Sequence, residues 1–248
     1  SVSLQGALGN GDLVRAIPSF LPRQTAETTL RLVDQLIGRD NTSLTARLQG
    51  NLRQFTLQEA TIAIPGLLRL KTDGYVRHAD EARRSGHLNF SLSSTSSARL
   101  RPFLPADIRQ TVQIPDGLSA LGTIDFASSI YGTHFTLSRG NGRLTANAAI
   151  DLDTKKYRLG ADIVRFPLAH FVKNIPISPL SANLTAEGKG FDPASLASHL
   201  RAAAHIRQLQ YDRYPLGGIQ LSGKMYRGNA EVDFRAHNPM ISGMGRIT

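Results

Sequence analysis

The sequence predicts a mainly β protein whose strands follow one another as an antiparallel meander. Three observations carry that expectation. Apolar side chains recur at every second position along most of the chain, the period of a strand with one buried face. The segments between these runs are short and hold Asn, Asp, Gly and Lys, as hairpin turns require. Stretches with helical spacing are few.

The chain opens already in alternation at Ser1-Val2-Ser3. A helix is expected over 25–37, where Leu30, Val33, Leu36 and Ile37 share one face, Glu27 and Arg31 form an i,i+4 pair, and Gly38 ends the run. A shorter helix over 12–20 precedes it, so that 12–37 is assigned as a helical insertion or cap, and 42–248 as antiparallel strands of one continuous segment, 1–248. The first strand has Leu44, Ala46, Leu48, Gly50 and Leu52 alternating with Thr45, Arg47, Gln49 and Asn51. The pattern returns at Leu88–Leu92, Ala120–Phe126, Thr133–Leu137, Leu144–Leu152, Tyr157–Ile163, Leu180–Ala186, Ile219–Met225 and Ala230–Ala236. Asn141-Gly142 is a two-residue hairpin signal of the I′ kind, since both central positions of that turn need positive φ. Asp153-Thr154-Lys155-Lys156 and Arg227-Gly228-Asn229 are further hairpin loops. Segments 97–104, 168–172 and 193–197 are at most one or two helical turns each, placed as caps or plugs beside a sheet. A loose likeness between Thr45-Ala46-Arg47-Leu48-Gln49-Gly50 and Leu184-Thr185-Ala186-Glu187-Gly188 points to an internal repeat.

Composition narrows the function classes. With 248 residues and 41% hydrophobic content the chain can build a sizeable core. It has no Cys, which excludes disulfides, thiolate metal sites and cysteine nucleophiles. Without Trp, and with 6% aromatic residues, it offers no platform for stacking sugars or bases. The formal charge of +10 favours anionic partners such as nucleic acid, a lipid headgroup surface or an acidic polysaccharide. No run approaches the ~20 apolar residues of a spanning helix. The start without Met and the stop in mid-pattern at Gly245-Arg246-Ile247-Thr248 are expected of a piece of a longer protein, with any targeting or anchoring segment outside it.

Tests for catalytic chemistry come out negative. The seven His form neither HExxH nor HxH, and His199 and His205, on one strand face, stand ~20 Å apart, too far to share a metal. Asp151 and Asp153 flank a Lys-rich hairpin, which makes them solvated turn residues rather than an acid/base pair. Gly188-Lys189-Gly190 and Gly243-Met244-Gly245-Arg246 lack the following helix of a phosphate loop. Arg47, Arg143, Arg158, Lys224 and Arg235 fall between apolar neighbours and so face outward as a dispersed coat, without the charge concentration and aromatic interleaving of a nucleic-acid reader. No enzyme, no cofactor and no nucleic acid is therefore expected. What stands out is the apolar face, which too few helices exist to cover. A closed sandwich or barrel would bury it, and a curved sheet would leave it lining an open trough.

Three stretches carry a resemblance to a known family. They are LTARLQGNLRQFTLQEATIAIPGLLRLKTDGYVR (44–77), YRLGADIVRFPLAHFV (157–172) leading to LSANLTAEGKGFDPASL (180–196), and the tail from Ile206 to Thr248. In that tail Tyr211 and Tyr214 lead to Ile219-Gln220-Leu221-Ser222-Gly223, then to Val232-Asp233-Phe234 and Asn238-Pro239. In this patterning the chain resembles the TamB/AsmA-like envelope proteins of Gram-negative bacteria, in particular the TamB-like proteins of Bacteroidetes-type organisms.

The resemblance implies a long, strongly curved antiparallel sheet, a repeating β-groove or β-taco, with a few short helices. It implies a periplasmic segment of an inner-membrane-anchored protein, its N-terminal anchor outside this chain, that moves phospholipids between inner and outer membrane and works with an Omp85-type outer-membrane barrel protein. Phospholipid acyl chains would then meet Leu44, Leu48, Ile124, Phe126, Phe135, Leu137, Leu144, Ile150, Leu159, Ile163, Leu184, Leu221, Val232 and Phe234. The alternatives are an assembly factor for outer-membrane barrels, pairing with nascent strands at an open sheet edge, and a structural envelope scaffold with its apolar faces buried.

Overall fold

A computed structural model describes residues 2–7, 43–51, 53–96, 110–192, 195–238 and 242–247. They form one long, curved, open antiparallel sheet. Its strands are β1 (Val2–Ala7), β2 (Ser43–Gly50), β3 (Gln54–Ile64), β4 (Leu68–Arg77), β5 (Ser85–Ser94), β6 (Ser119–Ala127), β7 (Ile130–Arg139), β8 (Gly142–Asp151), β9 (Lys156–Phe166), β10 (Ile177–Lys189), β11 (His199–Tyr211), β12 (Tyr214–Leu216), β13 (Ile219–Tyr226), β14 (Asn229–His237) and β15 (Ser242–Ile247). Each strand pairs with its sequence neighbours, except that short β12 hangs on β11, and β11 goes on to pair with β13. The one helical element among the described residues is a 3-10 turn, Leu168–His170. The expected helical insertion at 12–37 and the turn at 97–104 lie outside the described residues.

Because directly paired residues of antiparallel strands point to the same side, register shows which side chains share a face. One row crosses the whole sheet as Gly6, Leu44, Ile62, Leu70, Leu92, Ala120, Leu137, Leu144, Ile163, Ala182, Ile206, Ile219, Ala236 and Gly243. Two residues along each strand a second row runs through Ala60, Phe90, Phe135, Ala146, Leu184, Leu221 and Phe234. A third passes Leu48, Leu57, Leu88, Ile124, Ala148, Leu159, Ala186 and Val232, and a fourth Phe55, Val76, Phe126, Ile150, Tyr157, Leu200 and Met225. The intervening rows, on the opposite face, hold most of the strands' Arg, Lys, Asp, Glu, Asn and Thr residues.

Bulges keep the two faces separate where the sequence alone would mix them. In β3 the apolar side chains are Phe55 and Leu57, then Ala60, Ile62 and Ile64, a change of phase. The register slips there, between Arg47↔Glu59 and Leu48↔Leu57, and the extra residue returns the aliphatic side chains to one face. This change of phase hides β3 from a strict period-two reading. In β4, Thr72 and Gly74 replace aliphatic residues on the apolar face, and in β11 Ala203 gives the polar face an apolar residue; alternation is blurred in both.

Hairpin chemistry follows the expected lines, with one correction. The turn between β7 and β8 is centred on Gly140-Asn141, not on Asn141-Gly142: Arg139 pairs with Gly142, and Gly140 takes the first central position at φ 55°. Glycine at that position is the signature of type II′ rather than I′. Arg227-Gly228, at φ 52° and 78°, does form an I′-like turn between β13 and β14. Asp151 closes the β8–β9 hairpin: its carboxylate accepts from the backbone N–H groups of Asp153 and Thr154, and from the Thr154 and Ser129 hydroxyls.

Candidate functional site: an apolar face capped at one end

The four apolar rows contain no Lys, Arg, Asp, Glu or His from β2 to β15. Thr72 and Thr133, which do stand in them, donate their hydroxyls to the carbonyls of Asn89 and Thr123 and so are satisfied within the sheet. Every residue expected to line a groove, from Leu44 and Leu48 to Val232 and Phe234, holds a register position on this one face.

Glycine and aromatic residues fit together across this face. A side chain at Gly86 would meet the Phe126 ring, one at Gly188 the Tyr157 ring, and one at Gly245 the Phe234 ring. Each ring occupies the space that a side chain at the glycine on the neighbouring strand would fill. Phe126 also stacks on Tyr131 at 6.2 Å, and Tyr157 on Phe191 at 5.9 Å.

The face is not uniform from end to end. At the end bearing the β9–β10 connection, Ile163, Phe166 and Ala182 form a buried core on which Leu137, Leu144, Phe171, Leu180, Leu184 and Ile206 pack. Phe166 and Phe171 stack at 4.7 Å. The long connection between β5 and β6 reaches over to the same place. Val112 bridges Val172, the Gln113 N–H donates to Phe171 O, and the Lys173 N–H donates to Thr111 O. Arg139, at the tip of β7, ties both connections, donating to Asp116 O and contacting the His170 ring. The segment around 168–172 is thus a cap, as expected, and it closes one end of the face. Toward the other end the same strands open to water: on β9, Ile163 is 5% exposed and Leu159 40%, and on β14 Ala236 is 3% exposed and Val232 38%.

The polar face is held by a network of its own. A bulge in β11 at Arg207 turns that residue outward, and its guanidinium donates to Asp162, Asn183 and the Ile163 carbonyl, binding β11 to β9 across β10. Arg246 joins Glu231 at 2.9 Å and Asp233 at 2.8 Å, which lowers the Asp233 carboxyl below its ordinary value and raises the guanidinium's. His87 meets Asp125 at 2.6 Å and Asn89 at 3.2 Å. The bond to Asp125 raises the imidazole above its ordinary 6.5. The Thr154 hydroxyl, foremost, holds the Asp151 carboxyl low, in keeping with a hairpin cap.

One feature escaped the sequence reading. Arg47, Arg143, Arg158, Lys224 and Arg235 do stand exposed on the polar face, but the basic residues are not evenly dispersed. Register sets Lys156, Lys189 and His199 side by side on β9, β10 and β11, and Arg201 directly opposite Lys224. No spacing along the chain announces this, since the residues come from four strands.

Among the described residues no helix is long and apolar enough to cross a membrane. Comparison of the chain with family models, curated proteins and solved structures finds no match in any of the three.

Proposed function

We propose that the chain is a non-enzymatic segment of a lipid conduit, in which phospholipid acyl chains lie along the apolar face, crossing the strands, on their way between the two membranes of a bacterial envelope. The observation that carries this reading is the charge-free face itself: four apolar rows, running across the strands from β2 to β15, with the row of Leu159 and Val232 accessible from one end. Apolar surface of this kind gains about 25 cal/mol for each Å² withdrawn from water, which suits a long unbranched guest and requires no polar anchor along its path. Periplasmic location, an anchor elsewhere in a longer protein and an Omp85-type partner belong to the same reading, by resemblance.

The test is direct. A photo-crosslinking residue placed at Leu159 or Val232 in cells should capture phospholipid, and one at Arg158, the neighbouring position on the opposite face, should not. Equal capture at both positions, or none at either, would defeat the conduit reading.

A second reading is favoured by the open sheet. Its path ends at β1 on one side and β15 on the other, so that each has one unpaired edge among the described residues. An assembly factor would add strands of a nascent outer-membrane barrel there. Such binding would run through backbone groups and would persist in Leu159→Arg, whereas lipid capture would not.

A further inference from the structure

Like charges directly opposite each other on paired strands destabilise a sheet, and such pairs are usually separated by an acid or a neutral residue. Here they are juxtaposed. Lys156 on β9 pairs with Lys189 on β10, and in the next row of the same face Arg201 on β11 pairs with Lys224 on β13. The nearby carboxylates offset them in part, Glu231 closing on Lys224 at 2.7 Å. Asp151, opposite Lys156, is engaged in its own hairpin. Glu187 reaches Arg158 at 4.0 Å, the limit of an ion pair, and Glu231 is shared between Lys224 and Arg246. Glu187 stands opposite Arg201 in register and Asp151 opposite Lys156, but among the described residues none of Lys156, Lys189 and Arg201 is in an ion pair. All of these basic side chains are exposed. Lys156, Arg158, His199, Arg201 and Lys224 line a groove of about 760 Å³ together with Asp151 and Glu187, and Lys189 stands beside it in register. A backbone bond from the Gly190 N–H to Lys155 O ties the two adjoining turns together, so the block cannot relax by letting β9 and β10 part.

We infer that this block on the polar face of β9–β13 is a binding site for a phosphate-bearing ligand. Local disagreement between side chains and fold, kept in an otherwise consistent sheet, is the mark of a site shaped for something besides stability. The missing charge is negative. Strands lie about 4.8 Å apart, so cations on three neighbouring strands surround one tetrahedral group or two linked ones. Arg158 and Arg201 supply the forked donors that match phosphate oxygens, and the lysines supply point charge. A lone carboxylate would satisfy only one of the opposed pairs. The phosphate can belong to a lipid headgroup or to a soluble compound. Since the site is on the face opposite the apolar rows, the inference stands whether or not those rows carry lipid.

The whole chain is titrated with inorganic pyrophosphate, followed by thermal midpoint, and separately cosedimented with vesicles of phosphatidylglycerol in phosphatidylcholine. Wild type should respond to at least one probe, and which one responds names the source. Lys189→Gln and Arg201→Gln should each weaken that response about fivefold, the contribution of one basic residue near an anionic surface. Arg47→Gln, on the same face but far away on β2, should leave it unchanged. Without anion, both variants of the block should melt at or above the wild-type temperature, because a repulsion has been removed. A cation placed there for stability would give the opposite sign. No response of wild type to either probe would overturn the inference. So would an equal loss in Arg47→Gln, or variants that melt lower and still respond fully.

Discussion

Ile163 and Leu159 stand on the same strand, on the same face, with only one residue of that face between them. Ile163 packs with Phe166 and Ala182 in a buried cluster against which Phe171 also packs, and Leu159 faces water. Ala236 and Val232 repeat the contrast on β14. Connection length alone does not set the difference, since residues 190–198 join β10 to β11 at the open end, where Leu159 stays exposed, and a two-residue turn joins β7 to β8 at the capped end of the face. Where β5–β6 and β9–β10 are joined by long connections, those segments meet and cap it. Stability is therefore concentrated at the capped end, and accessibility at the other.

The largest expected effect is from charge at these two positions. Ile163→Arg buries an ion with no partner and should lower the unfolding free energy by about 3–5 kcal/mol. Leu159→Arg reaches water and should change it by less than about 1 kcal/mol. Urea unfolding of both variants measures the gap, and equal destabilisation would mean that the face is closed along its whole length.

The next effect compares the two faces. A side chain at Gly122, on the apolar face, would come within 2.2 Å of His134 O and 2.7 Å of Phe135 Cα, while one at Gly160, on the polar face, meets nothing within 4 Å. Gly122→Val should therefore lose about 1–3 kcal/mol by overpacking, and Gly160→Val should be neutral or slightly stabilising, as a β-branched residue in a strand. Thermal midpoints of the pair sharpen the comparison, since comparable losses would contradict the inequality of the faces.

Arg207→Ala comes third. It removes the outer-face link over the capped core, to Asp162, Asn183 and Ile163 O, and should lose about 1–2 kcal/mol, given that the side chain is partly exposed and solvent replaces some of its bonds. Hydrogen exchange should show the loosening in β9–β11 and not in β4–β6.

The smallest effect is a pH dependence outside the cap. The bond to Asp125 raises His87, so the imidazolium stabilises the fold fully below its ordinary 6.5, and that contribution is lost as pH rises through the higher folded value. The wild-type thermal midpoint should fall slightly over that window. In Asp125→Asn the fall should be absent, and a persisting fall would assign it to another group.

Much of this was legible in advance. Period-two alternation located β2, β5–β10, β13 and β14, and gave each an aliphatic face, because a strand reverses its side chains at every residue whatever surrounds it. Turn residues showed that the strands run antiparallel. β3, β4 and β11 were harder to read: a bulge changes the phase in β3, Thr72 and Gly74 occupy the apolar face of β4, and Ala203 faces outward on β11. The lining residues were legible as a set, because each needed only its own strand. The opposed basic residues were not, because Lys156, Lys189, His199, Arg201 and Lys224 become neighbours through the pairing of four strands.

The division follows the range of the interactions. Which face of each strand is apolar, where the chain turns and which classes of polar chemistry are excluded are local matters, set within a few residues by side-chain period, turn preference and composition. Register across bulges, the meeting of the connections that bury Ile163 and expose Leu159, and the crowding of like charges on β9–β13 depend on residues far apart in the chain. Those contacts form by packing and backbone pairing between strands, and no local preference of the residues that make them encodes which partner each will meet.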